Sequence, residues 1–147
     1  MIVTTVATRP PTWLSVASWL ALLWMLSGGA AFVMDLLTDE AALAQMSPAQ
    51  RELYEARPGW ILAMYAVAIL SGLAGALALV LRKAWAVPAL GLSLAAVIIQ
   101  FGYVVFGMQA IDRVGAAEAV TLPIIVFVAG ALMVWLAVKA KGAGWLA

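Results

Sequence analysis

Four long runs of this chain carry no charged side chain: 13–34, 60–81, 85–107 and 120–138. A bilayer core is crossed by about 20 apolar residues at about 1.5 Å of rise each, and every run reaches or nearly reaches that length. Strands of a membrane barrel would alternate over about 10 residues, whereas these runs are continuous. We therefore expect an all-α integral membrane four-helix bundle, one transmembrane domain over 1–147. The spans fall at about 13–36, 59–81, 85–107 and 120–138, with a short helical outer loop over 37–58. The first apolar run is longer than the roughly 7–15 residues of a cleaved signal peptide, so it reads as a span.

Composition excludes the alternatives. Charged residues make up only 10% of the chain and hydrophobic ones 67%. A soluble domain carries about 25% charged residues, so a soluble monomer is excluded, and so is a disordered chain. A net charge of +1 gives no basic field for nucleic acid. The chain has no Cys and no His. That removes thiol nucleophiles, disulfides, the usual zinc ligands and His-based general-base catalysis. We expect no enzyme, no catalytic residue, no cofactor and no metal site.

Local punctuation supports the spans. Pro11 and Pro58 precede the first two, and Pro88 and Pro123 are expected in the first turns of the last two, where a missing N–H costs nothing. Trp13, Trp60, Trp85 and Trp135 lie near span ends, at headgroup level. Gly142 and Gly144 are expected to loosen the tail. No repeat of fixed period appears, and the two halves are unlike.

Charge sets the orientation. Arg9, Arg82, Lys83, Lys139 and Lys141 fall on one side. Arg51, Arg57 and Arg113 fall on the other, with all the acids: Asp35, Asp39, Glu40, Glu52, Glu55, Asp112 and Glu118. Short-loop Lys and Arg mark the cytoplasmic side, so both termini are expected there.

The outer loop has its own order. Ser47-Pro48-Ala49-Gln50 is a capping box with proline at the first helical position, predicting a helix over 48–56. Thr38-Asp39-Glu40 can start a shorter turn through Leu43 and Ala44. This loop reads as a cap that shields the bundle end, or as a docking surface built from Glu52, Tyr54, Glu55 and Arg57.

Inside the spans no residue is ionised, which argues against a proton-driven antiporter. Asp35 lies at the outer boundary. On the third span Ala89, Ser93, Ala96, Gln100, Tyr103 and Gly107 follow the spacing of one helical face, expected to point into the bundle. Gln100 lies about 22 Å from the inner end, at about 1.5 Å per residue; Tyr65 and Ser27 reach similar depth. Gln100, Tyr103, Tyr65, Ser27 and Asp35 thus form a candidate polar cluster in the outer half. We expect interhelical glue, worth about 0.6 kcal/mol per bond; the alternative is an outward-facing pocket. Ser71-x-x-x-Gly75 and Gly72-x-x-x-Ala76 permit close helix contact, within the bundle or between two copies.

Several local motifs resemble a family of small four-span bacterial inner-membrane proteins. They are Asp39-Glu40-Ala41-Ala42-Leu43 with Ser47-Pro48, then Arg57-Pro58-Gly59-Trp60, Gln100-Phe101-Gly102 and Gly144-Trp145-Leu146. The resemblance runs over nearly the whole chain. Such proteins are loosely labelled sugar transporters, which implies a role in transport without assigning residues to it. Read together, these features lead us to expect a non-enzymatic inner-membrane protein, an accessory or structural component in contact with lipid and with protein partners or a second copy of itself. The alternative is a small-solute carrier, of sugar or another solute, acting as an oligomer. The topology is testable first: reporters fused after Ala84 and after Ala147 should read cytoplasm, and one after Gln45 should read periplasm. A periplasmic signal at Ala147 would overturn four spans.

Overall fold

A computed structural model describes residues 9–147, apart from the side chain of Glu118. The N-terminal residues 1–8 and the outer-side assignment of the Glu118 side chain lie outside that description. The chain forms α1 (Thr12–Leu36), α2 (Glu40–Ala44), α3 (Pro48–Glu55), α4 (Gly59–Val80), α5 (Ala86–Gly102), a π-helical segment (Tyr103–Gly107), α6 (Ala110–Val114) and α7 (Ala116–Gly142). Four helices are long and apolar enough to cross a membrane: Thr12–Leu36, Gly59–Val80, Ala86–Gly107 and Ala119–Gly142. No strand occurs among the described residues.

Their surface is lipid-like. Of the 25 residues of α1 only Leu14, Ser18, Ala21 and Met25 are buried, while large side chains such as Leu20, Leu23, Leu122 and Phe106 stand exposed. Contiguous apolar surface on this scale is not tolerated by a soluble monomer. The protein is an integral, multi-pass membrane protein.

The helices pack in chain order, α1 on α4, α4 on α5 and α5 on α7. The central contact needs small residues. A Cβ on Gly75 would lie 2.6 Å from Leu90 Cγ and 3.1 Å from the Leu90 backbone nitrogen. A Cβ on Gly72 would collide with the end of Met25 and sit 2.9 Å from Ser93 Oγ. The small-residue pattern is therefore used inside the chain. Ser93 Oγ adds a bond across this interface, donating to the Ala68 carbonyl at 2.7 Å. Gly28, too, lies close under Ile69 of α4, and α1 runs through Gly28-Gly29 as one helix.

We call the end at the α4–α5 turn the inner end and the end carrying α2, α3 and α6 the outer end. Most of the core gathers at the inner end: Leu14, Ala78, Leu79, Ala86, Leu136, Ala137, Ala140 and Leu146 belong to one cluster. The tail is not loose, which corrects the expectation for Gly142 and Gly144. Gly144 takes φ +78°, a left-handed position suited to glycine. That lets Trp145 N–H reach the Ala140 carbonyl at 2.9 Å and drops Leu146 into the core. Ala147 then exchanges two backbone bonds with the turn, donating to Arg82 O at 2.9 Å and accepting from Ala84 N–H at 2.8 Å. Trp145 meets Trp13 edge-on at 5.6 Å.

At the outer end the capping box forms, with Gln50 N–H on Ser47 Oγ at 3.2 Å and Ser47 N–H on Gln50 Oε1 at 3.1 Å. Asp39 caps α2 through Ala42 N–H at 2.9 Å. One proline is displaced from its expected role. Helix α7 begins at Ala116, so Pro123 sits inside it rather than in its first turn. The proline ring removes the N–H that would bond Ala119 O, and the Thr121 hydroxyl bonds back to Ala117 O.

The α4–α5 contact makes a paired test. Gly75→Ala should destabilise the protein by about 1–2 kcal/mol, because overpacking outweighs the helix preference of alanine. Gly91→Ala, where nothing lies within 4 Å, should stabilise by about 0.5–1 kcal/mol. Unfolding in mixed micelles measures both; equal effects would remove the special role of Gly75.

Candidate functional site

Between α1, α4, α5 and α7 lies a cavity of about 400 Å³. It reaches from Asp35 and Arg57 at the outer end inward to Met25, Leu90 and Met133 of the core cluster. Its walls are mainly aliphatic and aromatic. Its polar lining comes from Ser27, Asp35, Arg57, Tyr65, Ser93 and Gln100. The core cluster closes it from the inner end.

Most hydroxyl groups in the spans are satisfied by their own helix. Ser18 Oγ donates to Leu14 O at 2.7 Å, and Ser27 Oγ to Trp24 O at 2.6 Å. A side chain one bond from its helix can bond back one turn. Gln100 carries its amide further out and does not. It is 4% exposed, and its Oε1 is buried without a hydrogen-bond partner. The expected interhelical bond of Gln100 is not made among the described residues, so the glue reading loses its main support. In hydrocarbon such an atom has no water to turn to.

Tyr103 is a further correction. It follows Gln100 by three residues, which turns it about 60° round the helix. Its ring leaves the inner face and meets Trp60 at 4.7 Å. Gly107 makes room, since a Cβ there would lie 2.9 Å from that ring. The face ends here because the backbone winds into a π-turn, closed by Met108 N–H on Tyr103 O at 2.9 Å. Tyr65 does line the cavity, with its ring 4.8 Å from Phe32.

The outer mouth joins residues that the sequence had kept apart. Arg57, expected on a docking surface, reaches Asp35, expected in the intramembrane cluster. Its Nη2 donates to both carboxylate oxygens, at 3.1 and 3.3 Å. About a quarter of each side chain is exposed. Tyr54 donates to the Asp35 carbonyl at 3.3 Å and stacks under the Arg57 guanidinium, 4.4 Å from its ring centre. The other docking candidates are also engaged: Glu52 with Arg113 at 3.2 Å and Glu55 with Arg51 at 2.9 Å. Both of those pairs are well exposed, and such pairs contribute little. Ser93, Trp24 and Met133 were not singled out as site residues. Ser93 had a signal, its place on the α5 face; Met133 read as an ordinary apolar position. No group of three or more acidic side chains converges to hold a metal among the described residues.

Fold and site together define a multi-pass helical membrane protein with a cavity between its spanning helices that extends to the outer end. Compared with family models, curated proteins and solved structures, the chain finds no match.

The ion pair at the mouth can be measured by a double-mutant cycle. Asp35→Asn, Arg57→Gln and the double variant should give a coupling of about 1 kcal/mol or more, at or above the top of the range for exposed pairs. Coupling near zero would mean that Arg57 does not hold the outer loop to α1.

Proposed function

We propose that this chain is a non-enzymatic integral membrane protein that binds a small amphipathic molecule in its cavity, as a carrier rather than as an accessory subunit. One observation carries the reading: the buried amide of Gln100, in the wall of a cavity of about 400 Å³, with no partner for its oxygen. Leaving a buried polar group unpaired costs about 1–3 kcal/mol, and a ligand that hydrogen-bonds the amide recovers part of that cost. The site has the usual make-up of a small-molecule pocket, mainly apolar with a few polar groups.

The accessory role has less behind it, because Tyr54 and Arg57 are engaged with Asp35 inside the chain. The family resemblance adds a transport role and a bacterial inner membrane to the proposal. A free sugar, however, would want several converging amides and carboxylates, and the walls favour an amphiphile. Cytoplasmic termini remain part of the proposal on the Lys and Arg bias alone. Oligomer formation is not needed for the cavity, which residues of one chain line.

Gln100→Leu tests the reading. In mild detergent the variant should keep or raise its melting temperature, since leucine buries no unpaired group. Native mass spectrometry should find a small-molecule adduct on the natural chain, weakened about tenfold by the substitution, equal to about 1.4 kcal/mol. Tyr103→Phe should leave the adduct unchanged, because Tyr103 is outside the cavity. An adduct insensitive to Gln100→Leu would overturn the proposal.

A further inference from the structure

The cavity has a neighbour. A second recess of about 350 Å³ lies on the flank of the bundle between α1 and α7, lined only by apolar residues. Trp24 and Met133 line both, so the two spaces meet at these side chains. Helices α1 and α7 make no extensive backbone contact, unlike the successive pairs α1–α4, α4–α5 and α5–α7. Leu20 and Leu132, on the rim of this α1–α7 seam, are about 60% exposed, on the surface that faces lipid.

The polar end has a definite charge pattern. Arg57 bonds Asp35 through Nη2, and no protein acceptor takes its Nε or Nη1 among the described residues. An anionic group can therefore bind Arg57 without breaking the pair, and a cationic group can sit on the Asp35 carboxylate beside it. The mouth presents both signs side by side and no net charge. Gln100 lies seven residues below Gly107, about 10 Å deeper at about 1.5 Å per residue. The site thus offers, in order of depth, a zwitterion-binding mouth, one amide and an apolar channel leading to the lipid-facing flank.

We propose that the occupant is a zwitterionic phospholipid from the surrounding bilayer, bearing a phosphate and a primary ammonium. It enters sideways through the α1–α7 seam. The phosphate meets Arg57, the ammonium meets Asp35, an ester carbonyl accepts from the Gln100 Nε2–H, and an acyl chain lies in the seam. This rests on the small-molecule reading above and names its ligand and its route. An anionic headgroup is disfavoured, because Asp35 stands in the mouth and the outer loops are rich in acids.

The test uses the full chain in mild detergent, titrated with phosphatidylethanolamine or phosphatidylglycerol and read by native mass spectrometry. Phosphatidylethanolamine should bind about tenfold more tightly. Asp35→Asn should remove that preference, whereas Arg57→Gln should weaken the binding of both lipids. Ala129→Phe, which fills the flank recess from a half-buried position, should weaken binding about tenfold with an unchanged melting temperature. If Ala129→Phe binds normally while Gln100→Leu does not, the ligand comes from water; the route fails and the small-molecule reading survives. If neither substitution matters, both fail. If Ala129→Phe instead converts a dimer to a monomer, the seam belongs to a second copy and the lipid route is overturned. A measurement free of seam variants uses nanodiscs with brominated acyl chains. Quenching of the Trp24 emission, taken as the difference from Trp24→Phe, should be stronger for brominated phosphatidylethanolamine than for the glycerol lipid. Equal quenching overturns the selectivity.

Discussion

The close contact of α4 and α5 is what the rest of the structure depends on. At Gly75 there is no side chain, and Leu90 fills the space where a Cβ would be. The very short turn after Leu81 forces the two helices to be antiparallel neighbours, and the glycines let them meet without strain. The outer helices then lean on this pair from opposite ends of the row, α1 on α4 and α7 on α5. Nothing in that arrangement brings the backbones of α1 and α7 together. Where large core side chains fill the gap, at the inner end, the bundle is solid. Further out the gap remains as the cavity.

The two ends are held by different forces. At the inner end the tail adds backbone pairing to the 82–84 turn and buries Leu146. Arg82, with φ +57°, reaches Ser15 at 3.2 Å, which ties α1 to the same turn. At the outer end the link between α1 and the loop is polar: Arg57 and Tyr54 on Asp35. Apolar contacts favour filling space; charge-assisted bonds favour geometry and tolerate an opening beside them. The cavity lies at the end where the closure is polar.

The parts of this fold legible in the sequence are those with a local cause. Absence of charge over a membrane's thickness located the spans, and a capping box located α3, because each depends on residues a few positions apart. The tail was misread because Gly144-Trp145-Leu146 looks like a frayed end until the Arg82 carbonyl and the Leu14 cluster are placed beside it. Pro123 was misread for another reason. The apolar run starts at 120, but the helix starts four residues before it, at Ala116, where hydropathy gives no signal. The ion pair of Asp35 with Arg57 spans 22 residues, beyond any local pattern.

Gln100 marks the boundary between the two kinds of information. Its burial was legible, since a polar side chain among small residues on one helical face must point inward. Whether it finds a partner was not, because that depends on what the opposing helices bring to its depth. Ser93, two turns earlier on the same face, meets the Ala68 carbonyl of α4 and is satisfied. Helix α7 passes Gln100 with Leu122 and Val126 in the shared cavity wall, and neither side chain offers a donor or an acceptor. An amide kept at such a place in hydrocarbon is a cost to stability unless something else completes it. Among the described residues the protein supplies nothing, and the space beside the amide is large enough for a ligand that does.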